Sequence, residues 1–142
     1  MSSKELDNLV RAGTLKRENA HQKEFDGLLD SGRKRLADAK IAGLSPDGKF
    51  LLAYDAAHAL SLAALRWHGY RPDKRFIVFQ ALQHTLELKP EIWRVLDEAH
   101  RRRNTVEYEG RFEVDEQLLA DLLRVTEVVR NAIEKLGRIA KK

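Results

Sequence analysis

SPDGKFLLAYDAAHALSLAALRWHG, residues 45–69, is the stretch that decides the fold class. Ser45 is a favoured N-cap, and Pro46 stands at the first helical position, where a missing N–H has no intrahelical acceptor to lose. Beyond Gly48 the run carries Phe50, Leu51, Tyr54, Leu60, Leu62, Leu65 and Trp67 with no breaker until Gly69, a natural C-terminal cap. Apolar residues fall on so many sides of this helix that it must be central, packed by other helices around its circumference.

Working outward, the flanking segments supply those partners. A final helix begins after Asp115 and holds the helical period through Leu118, Leu122, Val125, Val129, Ile133 and Leu136. A second helix is expected from about Arg17 to Ile41, with Phe25, Leu28, Leu29 and Leu36 on one face, a bend at Ser31-Gly32 and a stop at Gly43. Tyr70-Arg71-Pro72 reads as a connection, Asp73 as the cap of a fourth helix bearing Phe76, Val78, Phe79, Leu82 and Leu86, and Pro90 as the start of a fifth that runs to about Glu107, with Gly110 as its stop. Lys4 to Ala12 reads as a short first helix, and residues 1–15 as an N-terminal helix or arm that packs on its own bundle or on a partner. The expectation is one all-α domain over residues 1–142, an antiparallel bundle of five to six helices.

Composition agrees. At 142 residues one domain buries enough apolar surface to stand without metal or disulfide, and the chain has no cysteine, which removes zinc–cysteine clusters and thiol nucleophiles and fits a reducing cytoplasm. The start lacks the apolar core of a signal peptide. The most apolar stretch, Ala56 to Leu65, is interrupted by His58 and Ser61, so no membrane span is expected. Twenty-six basic against 22 acidic residues leave a net charge of +4, which permits an RNA partner without requiring one. The excess is local: His100-Arg101-Arg102-Arg103 contains no acid.

On the fifth helix, Ile92, Leu96, Ala99, Arg103 and Val106 fall on one stripe, so Arg103 continues a buried face. A guanidinium in a half-buried position requires an anion or several acceptors, and the two choices are a carboxylate from a neighbouring helix or a phosphate. His100 lies one turn before Arg103 on nearly the same face, within reach of the same phosphate. Arg101 and Arg102 read as a solvated face or as a patch that tracks an RNA backbone. His58, one turn after Asp55, reads as a buried polar pair or the polar lining of a pocket. His21, His68 and His84 have no metal-ligand spacing, so neither a metal nor a cofactor is expected. Trp67, Trp93, Tyr54, Phe76 and Phe79 read as core.

The run Arg103-Asn104-Thr105-Val106-Glu107-Tyr108 resembles the signature of HEPN domains, which are helical bundles with an Arg, a polar residue after it and usually a His five positions beyond the Arg. Ala53-Tyr54-Asp55-Ala56-Ala57-His58-Ala59-Leu60 through Gly69 is similar to that family's central helix. Arg75-Phe76-Ile77-Val78-Phe79-Gln80 and the Trp93 helix fall where its later helices lie, so the likeness spans about residues 24–136. It implies a homodimer with a composite site, in which Arg103 holds the scissile phosphate of RNA and Asn104 orients it, in a metal-independent, toxin-type endoribonuclease with an antitoxin partner. Tyr108 takes the place of the family histidine. Since a free phenol with a pKa of about 10 is ionised to roughly one part in a thousand at pH 7, a base role there is disfavoured, and His100 is the substitute. Two alternatives follow from the same resemblance and the same residues: an accessory subunit of a minimal nucleotidyltransferase, with Tyr108 the acceptor of a nucleotide, or a purely structural dimer with Arg103 in a salt bridge.

Overall fold

The Ser45 hydroxyl accepts a hydrogen bond from the Gly48 N–H at 3.2 Å and opens helix α3 (Pro46–Trp67), which is buried along most of its length. In the computed structural model residues 4–109 and 114–139 are described, without the side chains of 75, 76 and 106–109. Around α3 stand α1 (Lys4–Arg11), α2 (Gln22–Ala39), α4 (Arg75–Gln80), the single turn α5 (Leu82–Thr85), α6 (Pro90–Glu109) and α7 (Glu116–Glu134). The protein is an all-α helical bundle. The extended structure among its described residues is one short antiparallel pair, β1 (Leu15–Arg17) and β2 (Tyr70–Pro72), with Leu15 opposite Pro72 and Arg17 opposite Tyr70.

Strand β1 takes Arg17 from the expected start of the second helix, which opens only at Gln22, and β2 occupies the place expected for a plain connection. The ladder closes because Gly69 takes φ +87° beyond the end of α3, turning the chain back so that the Glu18 N–H reaches the Gly69 carbonyl at 3.0 Å. The expected fourth helix divides at Ala81 into α4 and α5, and Lys74, not Asp73, is the N-cap residue of α4. Asp115 does cap α7, accepting from the Gln117 N–H at 2.8 Å and the Leu118 N–H at 3.4 Å.

Helix α2 runs without interruption through Ser31-Gly32. Gly32 serves packing: a Cβ at this position would lie 2.5 Å from Leu60 Cγ, so the missing side chain lets α2 approach α3. The two helices are antiparallel, with Glu24 near the start of α2 bonded to Arg66 near the end of α3. Helix α7 runs opposite to α2, through Arg33–Glu134 at 2.9 Å and the Lys40–Glu127 pair. The main core gathers Phe25, Phe50, Tyr54, Leu60, Phe79, Leu82, Leu96, Leu122, Val125, Val129 and Ile133. A smaller core of Leu6, Leu15, Leu65, Tyr70, Ile77, Val78 and Ala81 seats the N-terminal arm on its own bundle, and burying Leu6 there contributes about 1.5–3 kcal/mol.

Between the two cores lies Arg66, whose side chain is 1% exposed. Its Nε donates to Glu24 Oε1 at 2.7 Å, Nη1 to the Glu18 and Tyr70 carbonyls at 3.0 and 3.1 Å, and Nη2 to the Asn19 carbonyl at 2.7 Å. Arg71 bridges the same carboxylates, from Nε to Glu18 at 2.6 Å and from Nη2 to Glu24 at 2.8 Å. A buried guanidinium is tolerated only when its fork of donors is filled, and here carbonyls of the β1–α2 loop and of β2, with the Glu24 carboxylate of α2, fill it.

Hydrogen bonding from Arg71 holds the Glu18 carboxyl below its ordinary value; at Glu24 burial pushes the other way, and the bonds from Arg71 and Arg66 outweigh it. Groups whose folded value is depressed contribute stability above the unfolded value, near 4.5, and lose it as pH falls through the folded value. Chemical denaturation is therefore expected to show Arg66→Ala less stable than the native chain by about 2–4 kcal/mol at pH 7, with the gap closing as pH falls below 4.5. A pH-independent gap would show that the carboxylates are not the partners that matter.

Candidate functional site

Helix α3 presents Tyr54 and His58 one turn apart on one face, and α4 lays the buried ring of Phe79 against both. The Tyr54 and Phe79 rings meet edge to face with centroids 5.8 Å apart, and the His58 and Phe79 rings do so at 6.1 Å. Helix α6 brings His100, Arg103 and Asn104 to the same place. All three are partly buried, whereas Tyr54 is wholly so.

The contacts form a chain. Tyr54 Oη and His100 Nδ1 are hydrogen bonded at 2.9 Å, and His100 Nε2 faces Asn104 Nδ2 at 3.2 Å. With the Asn104 amide so oriented, its N–H donates to Nε2, which is then the lone-pair nitrogen, while Nδ1 carries the proton and donates it to the phenol oxygen. The imidazole is thus oriented by a buried phenol on one side and a less buried amide on the other. Arg103 stands one turn along α6, with its Cζ 5.1 Å from the centroid of the Tyr54 ring. A cation over a ring face is attracted by the quadrupole, a contact that does not in itself consume hydrogen-bond donors.

The stripe along α6 is as the periodicity implies: Leu96 and Ala99 are fully buried and Arg103 is partly buried after them. For Arg103 the described contact is aromatic. Arg101 and Arg102 are exposed and turned to Glu98, at 2.6 and 3.7 Å, and that carboxylate raises the basicity of the Arg101 guanidinium. They form a solvated, partly neutralised face beside the cluster. The backbone of Tyr108 belongs to α6, but its side chain lies outside the described residues, as does all of Gly110. His58 is brought to Phe79, its described ring neighbour, with Asp55 on the preceding turn.

Tyr54 is the participant that sequence reading assigns to the core alone. It is core, but its hydroxyl is also the anchor of His100, and 46 positions of chain separate the two. A cleft of about 660 Å³ elsewhere, between the ends of α3 and α7 and the α5 turn, is lined by Trp67, His68, Thr85, Leu88, Asn131 and Lys135 and includes none of the cluster. Among the described residues no group of three or more His, Asp or Glu side chains is placed to hold a metal ion, and no helix is long and apolar enough to cross a membrane. No family model matches this chain, nor does any curated protein or solved structure to which it was compared.

Chemically, the arrangement offers an oriented imidazole beside a guanidinium, the pair needed to move a proton and hold an anion. Tyr54→Phe keeps the ring and deletes the anchor. Imidazole ¹⁵N spectra of this variant are expected to show His100 redistributed between its tautomers, with a stability loss of about 1 kcal/mol. An unchanged His100 spectrum would remove the phenol from the site.

Proposed function

We propose that this chain is an RNA-binding protein of HEPN-like type, a homodimer whose site cleaves RNA without a metal. His100 moves the proton, Arg103 holds the scissile phosphate and Asn104 positions both. The observation that carries this reading is the Tyr54–His100–Asn104 chain beside Arg103, because it supplies an oriented imidazole where Tyr108 supplies none. General-base catalysis requires a group near neutrality within hydrogen-bond reach of its proton, and imidazole is the side chain whose ordinary pKa meets that condition. Asn104, the more exposed of the two His100 partners, orients the imidazole from its open side.

Arg103 compensates the charge that develops on the phosphoryl oxygens, the role in which a guanidinium serves best, since its planar fork engages two oxygens at once. Arg101 and Arg102, exposed on the next positions of α6, add salt-dependent contacts to neighbouring phosphates. The resemblance of residues 103–108 to the HEPN signature supports pairing of two copies, so that two such sites face one RNA. A cysteine-free composition suits work in the cytoplasm, and an antitoxin that covers the site is the partner this activity calls for.

Incubation with RNA in excess chelator tests the reading. His100→Ala and Arg103→Ala are each expected to lower the cleavage rate by about 10²–10⁴-fold while circular dichroism stays unchanged. In solution the particle should have twice the 16.3 kDa mass of the chain. Cleavage that persists in both variants would exclude the site, and cleavage abolished by chelator would exclude the mechanism.

A further inference from the structure

Val128, Asn131, Ala132 and Lys135 follow the i, i+3, i+4, i+7 spacing of one helical stripe, and all four line the cleft of about 660 Å³ at the end of α7. Small-molecule pockets span about 300–1,000 Å³, so this one has the size for a ligand. Facing the stripe are Trp67 at the end of α3 and Leu86 and Leu88 around the α5 turn, each only partly buried. These walls offer carbon. The Trp67 indole N–H is taken by the Gly137 carbonyl at 3.1 Å, and His68 Nε2 donates to the Thr85 carbonyl at 2.9 Å.

The polar groups of the rim are unevenly placed. Asn131 and Lys135 are exposed and one turn apart, with their Cβ atoms about 5–6 Å from each other. Side chains of a helix lean toward its N-terminus, so the Lys135 stem lies back over Asn131 and brings an ammonium to an amide N–H. The neighbouring acids of α7 are engaged elsewhere, Glu127 with Lys40 and Arg130, and Glu134 with Arg33 at 2.9 Å. Among the described residues no carboxylate forms an ion pair with Lys135. The remaining titratable liners, His84 and Glu87, belong to the α5 side of the cleft.

We infer that this cleft binds a free medium-chain fatty acid, its carboxylate held by the Lys135 ammonium and the Asn131 amide and its chain laid against Trp67, Leu86 and Leu88. A single carboxylate puts the ligand's charge at the cationic rim and away from Glu87. An aliphatic chain covers the apolar walls without burying a polar group that lacks a partner. The ion pair is exposed and contributes little, so the chain carries most of the affinity. The cleft includes none of the Tyr54–His100–Asn104 chain, and the inference stands apart from the RNA reading.

Isothermal titration of the full chain with hexanoate, octanoate and decanoate, below micelle-forming concentrations, tests it, with decanol and decylamine as head-group controls. One decanoate is expected to bind per chain, with affinity rising about two- to fourfold for each methylene added from hexanoate upward. Lys135→Met is expected to weaken decanoate about two- to fivefold and leave decanol unchanged, and Lys135→Arg to keep native affinity. Ala132→Phe fills the cleft and is expected to abolish binding. Amide chemical-shift changes on titration with decanoate locate the site without a variant, and are expected at residues 67–68, 84–88 and 128–136. Absence of saturable binding, an affinity that ignores chain length, or decylamine bound as tightly as decanoate would each overturn the inference. So would shift changes centred on the exposed Ile41, Leu44 and Leu51.

Discussion

Because α3 is packed on nearly every side, its rotation about its own axis can take only one value, and the placement of every other functional group depends on that value. Three contacts set it. Gly32 admits Leu60 so closely that no other residue type fits without displacement. Arg66 must point to the β1–α2 loop, where its donors are filled, and Trp67 donates its indole N–H to the Gly137 carbonyl at 3.1 Å beyond α7. With those faces assigned, Tyr54 and His58 are left facing α4 and α6. A rotation by one residue would bury the Arg66 charge against apolar side chains, at a cost of several kcal/mol, so the setting is enforced most strongly by the group least suited to a core.

The two arginines drawn inward are buried to different degrees, Arg66 fully and Arg103 in part. Arg66 is filled by carboxylate and carbonyl oxygens, ties the β1–α2 loop and α2 to the end of α3, and is structural. Arg103 is only partly buried, and its Cζ stands 5.1 Å from the centroid of the Tyr54 ring. The same contrast holds for the tyrosines: Tyr70 gives its hydroxyl to Asp7 at 2.5 Å within the arm, and Tyr54 anchors an imidazole. Burial and desolvation are therefore spent on rigidity at one end of α3 and on orientation at the other.

Much of this was legible in the sequence. The Ser45-Pro46 start, the all-round burial of α3, the Asp115 cap and the α7 stripe each carry a local signal of period or capping chemistry, and the stripe Leu96–Ala99–Arg103 correctly turns Arg103 inward. What was not legible is non-local. Strands of three residues have too few alternations to show a period of two, so Leu15–Arg17 passes for the junction of arm and helix and Tyr70–Pro72 for a connection. The packing role of Gly32 shows only in its neighbour across the interface, Leu60. Arg66 sits in the last turn of its helix, where a cation is ordinarily solvated, and its carboxylate partners come from more than 40 residues away. Tyr54 reads as core because its ring is core; only its contact with α6 shows what the hydroxyl does.

The account turns on the coupling between a buried phenol and the imidazole across from it, and a double-mutant cycle measures that coupling directly. Unfolding free energies of the native chain, Tyr54→Phe, His100→Gln and the double variant are predicted to be non-additive by about 0.5–1.5 kcal/mol. Additivity within about 0.3 kcal/mol would mean that the two groups do not interact, and α3 would then orient nothing on α6.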